Sequence, residues 1–149
     1  MRLLEYKYSI SGVNSARTLM SIAAASGKPV RIVEASVTNA DNATNQQAYF
    51  ALRKVTSTGT YTTTLTAASI HPGDAAASAT VKSDTTAEPT YTSNTEIGYE
   101  GAPMLLGWRY LPLPNGGLWV GSGVEYGLYQ YTATSAYLAV MRVVVEDYF

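Results

Sequence analysis

Apolar and polar residues alternate along much of this chain. From Leu3 to Ile10 the even positions Leu4, Tyr6, Tyr8 and Ile10 are apolar, while Glu5, Lys7 and Ser9 face the other way. A period of two places successive side chains on opposite faces and predicts a half-buried β-strand. Ala48, Phe50 and Leu52 alternate in the same manner with Gln47, Tyr49, Ala51 and Arg53. Val30 to Thr38 is rich in β-branched residues and runs into Asn39-Ala40-Asp41-Asn42, whose short polar side chains suit a turn. Glu125–Thr132 and Tyr137–Asp147 are long, rich in Tyr and Val, and hold no strand breaker. Val143-Val144-Val145 predicts that the last of these is covered on both faces. Met104–Leu111 is a further candidate strand, with Trp108 and Tyr110 on one face and Arg109 on the other.

Turn signals separate these runs: Ser26-Gly27-Lys28-Pro29, Pro114-Asn115-Gly116-Gly117 and Gly121-Ser122-Gly123. Helix is nearly absent. Asp74 could cap one helical turn over Ala75–Ala79, and Thr18–Ala25 could form another. The Thr-, Ser- and Gly-rich stretches Val55–Thr66 and Thr85–Thr95 read as a polar hairpin and an irregular surface loop. No repeat, linker or domain boundary interrupts residues 1–149. The pattern predicts one all-β domain, an antiparallel sandwich of jelly-roll type with at most one or two short helical turns. An immunoglobulin-like sandwich and a lipocalin-like barrel are the rival topologies, the former lacking its Cys…Trp…Cys spacing.

Composition narrows the chemistry. The 149 residues carry 10 Lys+Arg and 11 Asp+Glu, so a net charge of −1 gives no electrostatic pull toward nucleic acid or anionic lipid. With no Cys and a single His, thiol catalysis, a Cys-based zinc site and two-imidazole chemistry are excluded. Met1–Tyr8 is not a signal peptide, because Glu5 and Lys7 interrupt the apolar region that one needs. The most apolar stretch, Met104–Val120, contains Arg109, Pro112 and Pro114 and is no membrane span. The expectation is a soluble protein made in a reducing cytoplasm, with no membrane or nucleic-acid partner.

The candidate catalytic groups each have a plainer reading. His71 stands beside Pro72-Gly73, a turn dipeptide, and reads as a surface loop residue. Glu146 and Asp147 are adjacent on a strand, point to opposite faces and read as a solvated strand end. Glu96 and Glu100 would share a face, the arrangement of a glycosidase carboxylate pair, yet Gly98 between them argues against fixed geometry. Gly121-Ser122-Gly123 lacks the spacing of a nucleophile elbow, and Gly116-Gly117 leads into Leu118-Trp119 with no phosphate-binding Lys. Tyr126, Tyr129 and Tyr131 are interleaved with Gly, Leu and Gln, without the basic residues of a nucleic-acid platform. No enzyme activity, cofactor or metal is expected.

What remains is a surface argument. A folded chain of 15.9 kDa exposes roughly 7,000–7,500 Å². Charged residues make up 14% of the chain, against ~25% in an ordinary domain. With 12 Tyr, 2 Trp and 4 Met, the composition leans toward that of protein interfaces. Self-association is therefore expected.

The run Gly116-Gly117-Leu118-Trp119-Val120 is followed by Gly123-Val124-Glu125-Tyr126-Gly127-Leu128 and a closing apolar strand, Leu138–Val145. Together with the Thr/Ser/Ala-rich middle, and with Asn39–Thr44 ahead of the strand at Ala48, the chain resembles the small, cysteine-free, all-β virion proteins of tailed bacteriophages, above all capsid decoration (cement) proteins. The resemblance implies a homotrimeric jelly roll, synthesised in the host cytoplasm, that sits on the outer face of the phage head and clamps neighbouring major capsid subunits. The expected contact residues are Leu3, Leu4, Tyr6 and Tyr8, since a terminal strand can add to a neighbour's sheet, together with Trp119, Tyr126, Tyr129 and Tyr131. An ordinary edge strand within one subunit is the plainer reading of the N-terminal segment. The alternative function is a carbohydrate- or receptor-binding module of a phage tail or fibre, with Trp108, Trp119 and Tyr61 as stacking candidates. Both Trp residues would otherwise be core.

Overall fold

The computed structural model describes residues 2–41, 47–70, 78–103, 106–112, 117–131 and 135–147. Its strands are β1 (Arg2–Val13), β2 (Arg17–Ala24), β3 (Val30–Asn39), β4 (Gln47–Ser57), β5 (Thr60–Thr64), β6 (Ala68–Ser69) and β7 (Ala79–Ala87). There follow β8 (Thr90–Tyr91), β9 (Ile97–Pro103), β10 (Trp108–Tyr110), β11 (Leu118–Val120), β12 (Glu125–Gln130) and β13 (Tyr137–Asp147). No helix occurs among the described residues.

Two antiparallel sheets form a sandwich. The first has the order β10-β3-β13-β1-β6, with β11 also on the outer edge of β3. The second has the order β5-β7-β2-β12-β4-β8, with β9 also on β4. The first strand pairs with the last, Arg2 opposite Asp147 through Ile10 opposite Ala139, and β2 pairs with β12. The ends of the chain are thus folded onto each other as they would be in a jelly roll.

The period of two becomes the core. Leu4 and Tyr6 from β1, Ile32 and Val37 from β3, and Met141, Val143 and Val145 from β13 point inward from one sheet. Leu19, Met20, Ile22, Phe50, Leu52, Val81 and Leu128 meet them from the other. Burying each such large side chain contributes ~1.5–3 kcal/mol. Val143, Val144 and Val145 are all buried, as the β-branched run predicts.

Several expectations need correction. Thr18–Ala25 is not a helical turn; it is most of β2, a central strand held by β12 on one side and β7 on the other. Leu, Met and Ala favour a helix in isolation, but ladder bonds on both edges and burial of Leu19, Met20, Ile22 and Ala24 outweigh that preference. Val55–Thr66 is not a hairpin. The end of β4 pairs with β8, whereas β5 pairs with β7. Thr85–Thr95 is correspondingly less irregular than expected, since it includes the end of β7 and all of β8. Among the described residues of Met104–Leu111 the strand spans Trp108–Tyr110, with Trp108 buried, Tyr110 half-buried and Arg109 exposed. His71, the cap at Asp74, most of Ala75–Ala79, and Pro114 to Gly116 lie outside the described residues.

Glu146 and Asp147 are not a solvated strand end. Asp147 is fully buried and accepts hydrogen bonds from Arg2 (3.0 Å) and from the Ser78 amide and hydroxyl (2.8 and 2.6 Å). Glu146 points to the opposite face and pairs with Arg31. Buried carboxylates persist only with such partners, and these come from segments far away in sequence.

Candidate binding face

The two outer faces of the sandwich differ in chemistry. On the first sheet, an ionic ladder crosses four strands. Lys7 lies 3.6 Å from Glu5, Glu5 lies 3.1 Å from Arg142, Arg142 lies 2.6 Å from Glu34, and Glu34 lies 3.3 Å from Arg109. These residues come from β1, β13, β3 and β10, so each ion pair bridges neighbouring strands or lies along one. Hydrogen bonding to Arg142 is the main cause that holds the Glu5 carboxyl below its ordinary value. Arg31 pairs with Glu146 on the same face and lies 5.8 Å from the Trp119 ring centroid.

The outer face of the second sheet is aromatic. Tyr49 and Arg53 occupy alternate outward positions of β4, Tyr129 lies on β12 beside them, and Tyr131 follows directly, its amide bonded to the Tyr49 carbonyl at 2.8 Å. β9 adds Tyr99 and β8 adds Tyr91. The rings form a continuous row. Tyr49 stacks on Tyr99 (5.9 Å between centroids), and Tyr99 meets Tyr131 edge-on at 5.0 Å. Tyr131 meets Tyr129 at 5.0 Å, and Tyr129 meets Tyr91 at 5.5 Å. Edge-to-face and offset pairs at these distances are the favourable geometries for aromatic quadrupoles.

Two glycines make room for the row. A Cβ on Gly127 would collide with the Tyr91 ring and hydroxyl, and one on Gly101 would stand 2.8 Å from the Tyr49 ring. Tyr49 thus lies over a glycine of the paired strand β9, and Tyr91 reaches from β8 across β4 to a glycine of β12. Arg53 sits at the centre, its guanidinium carbon 4.3, 4.8 and 5.5 Å from the centroids of Tyr91, Tyr129 and Tyr131. Contacts of this kind contribute ~0.5–2 kcal/mol each. Glu96 approaches Arg53 at 4.0 Å.

One end of the row is locked to the fold and the other is open. At the locked end, Glu88 accepts the Thr18 amide (3.0 Å) and hydroxyl (2.6 Å), and the Thr18 and Tyr91 hydroxyls share a hydrogen bond. Burial pushes the Tyr91 phenol well above its usual range, and it pushes Tyr129 and Tyr131 upward against the opposing charge of Arg53. At the open end Tyr49 is 41% and Tyr99 55% exposed. Between Glu96, Tyr99 and Tyr131 lies a cleft of about 260 Å³. The Tyr131 hydroxyl is buried and has no hydrogen-bond partner among the described residues. A buried polar group in that condition costs ~1–3 kcal/mol.

The residues expected to form contacts are dispersed by the fold. Tyr129 and Tyr131 lie in the aromatic row, while Tyr126 is half-buried and packs against the core. Trp119 is 52% exposed on the opposite face, which corrects the core assignment for that ring; Trp108, at 3%, is core and donates to the Gly98 carbonyl at 3.0 Å. Leu4 and Tyr6 are core residues, so their side chains are not available to a partner. Leu3 lies half-buried on the outer face, and the Tyr8 hydroxyl is engaged by Asp84 at 2.6 Å. Among the described residues, the other edge of β1 is paired at Leu4 and Glu5 by β6, and the Leu3 carbonyl accepts the Ile70 amide at 3.0 Å.

Tyr49, Tyr91, Tyr99 and Arg53 were not among the expected contact residues. Tyr49 and Arg53 carried a signal, because both fall on the outward parity of an amphipathic strand. Tyr91 and Tyr99 carried none, because each lies in a short, polar segment. Of the two candidate carboxylates, Glu96 lies 4.0 Å from Arg53, and Gly98, at φ +67°, turns the chain between Glu96 and Glu100. Among the described residues no group of three His, Asp or Glu side chains could hold a metal ion. No protein-family model, curated protein or solved structure matches this chain.

Proposed function

We propose that this chain is a non-catalytic structural protein of a tailed-phage virion: a capsid decoration protein that self-associates as a homotrimer and binds the outer surface of the head, stabilising contacts between major capsid subunits. The observation that carries this reading is the unequal chemistry of the two faces. Charge on the first sheet is neutralised internally by a ladder of ion pairs, whereas the second sheet presents a row of tyrosines around one arginine. Tyr and Arg are the residues that protein contacts favour, and Lys and Glu are those they avoid. Copies meet through the tyrosine face, and many modest attachments then act together on the shell.

Light scattering tests the first part. The purified chain should have three times the 15.9 kDa mass of one copy, and Tyr49→Asp with Tyr99→Asp should reduce it to one copy without loss of fold. Adding the chain to undecorated heads of the phage that encodes it tests the second. Saturable binding by the wild type, weakened at least ~10-fold in the double variant, is expected. A monomer that ignores phage heads would refute the reading.

A further inference from the structure

We infer that a hollow elsewhere on the second sheet is a binding site for a single neutral sugar ring. It lies over β5, β7 and β2, beside the tyrosine row, and holds about 240 Å³. Its polar lining is Ser21, Thr58, Tyr61, Thr80, Lys82 and Glu125. Strand alternation brings these groups together: Val81 faces the core, so Thr80 and Lys82 point outward, as does Ser21 beside Ile22.

The arrangement of donors and acceptors limits the ligand. Glu125 Oε1 accepts the Ser21 hydroxyl and, at 3.3 Å, the Tyr61 hydroxyl. Both donors fall on one oxygen, so the carboxylate is oriented and Oε2 is left to accept from a ligand. Lys82 makes no ion pair among the described residues and can donate from the other side. Four hydroxyls, one carboxylate and one ammonium around a small space suit adjacent hydroxyl groups, each of which both donates and accepts. The half-buried Tyr61 ring supplies an apolar wall for the C–H face of a pyranose. The volume falls below the ~300–1,000 Å³ of pockets for drug-sized ligands, which leaves room for one ring. With one carboxylate and one ammonium, Glu125 and Lys82, the lining carries no net charge, so it offers phosphate, sulfate or a uronic acid no net electrostatic attraction. This site goes beyond the virion role and does not depend on it.

The test is calorimetric titration of the intact protein with glucose, galactose, mannose and N-acetylglucosamine, with inorganic phosphate as the anionic control. At least one sugar should bind saturably with a Kd on the order of 1 mM, the strength that ~12 heavy atoms at modest efficiency provide. Glu125→Gln preserves shape and should weaken that binding at least ~10-fold, because a charged acceptor becomes a neutral one. Lys82→Met, at an exposed position, is a second variant that leaves the core untouched and should also weaken it. Tyr99→Asp lies outside the hollow and should leave sugar binding unchanged, which separates this inference from the proposed self-association. Absence of saturable binding by all four sugars, undiminished binding in both variants, or tighter binding of phosphate would each overturn it.

Discussion

The Tyr137 hydroxyl donates to the Gln130 side-chain oxygen between the two layers of the sandwich, joining the start of β13 in one sheet to the end of β12 in the other. Both residues are buried, and the Gln130 amide nitrogen donates in turn to the Ser15 carbonyl at 3.2 Å. Tyr137→Phe would leave the Gln130 oxygen without its donor in a dry interior. We expect a loss of ~1–3 kcal/mol in urea unfolding. Tyr137→Phe combined with Gln130→Met should recover part of that loss, because the stranded acceptor is then removed.

Gly127 and Tyr91 form a second coupled pair. Gly127→Ala places a methyl where the Tyr91 ring lies, and the ring must move away from Arg53 and Tyr129. The expected cost is ~1–3 kcal/mol, as for other overpacked sites. The near-ultraviolet circular dichroism of the tyrosines should change while the far-ultraviolet β signal persists.

Arg142 bridges Glu5 and Glu34, and the ladder is only partly buried. Arg142→Ala should therefore cost less than ~1 kcal/mol, and less still in high salt. The sign of its pH dependence is specific. The Glu5 pKa is depressed in the folded state, so its contribution is present above the unfolded value near 4.5 and is lost as pH falls through the folded value. The variant should lose that part of its acid sensitivity, which unfolding curves at pH 6 and pH 3 would detect.

Alkali should act in the opposite sense. Burial raises the phenols of Tyr6 and Tyr61 to about 12 from an ordinary 10, and it raises Tyr137 as well. A raised folded-state pKa contributes stability that is complete below the unfolded value and is lost as pH rises through the folded one. Thermal stability should therefore hold up to pH ~10 and fall between ~10 and ~12. Tyrosinate absorbance from these three residues should appear together with unfolding.

The two tryptophans offer a direct check on the sandwich. Trp119 is half-exposed and Trp108 is enclosed by Phe50 and other core side chains. Iodide should quench roughly one emitter, and Trp119→Phe should leave a protein whose fluorescence resists quenching. Equal quenching of both rings would contradict the burial of Trp108.

Much of this architecture could be read from the amino-acid order, because strand periodicity is a local property. The alternation at Leu4, Tyr6, Tyr8 and Ile10, and again at Ala48, Phe50 and Leu52, required nothing beyond the pleat to predict which side chains turn inward. The same parity placed Tyr49 and Arg53 together on the outward face of one strand. β2 was misread as helical because Leu19, Met20 and Ala23 carry a local preference that only two neighbouring strands override. Partners were not legible at all where they come from distant segments. Arg2 reaches Asp147, Glu88 reaches Thr18, and Tyr99 reaches Tyr131 through sheet pairing that no short window contains. Local pattern therefore decided the strands, their inward faces and the all-β class, since each depends on a residue and its near neighbours. The tertiary structure alone decided that five tyrosines from four segments would line up around Arg53, because that alignment depends on register between strands far apart in the chain.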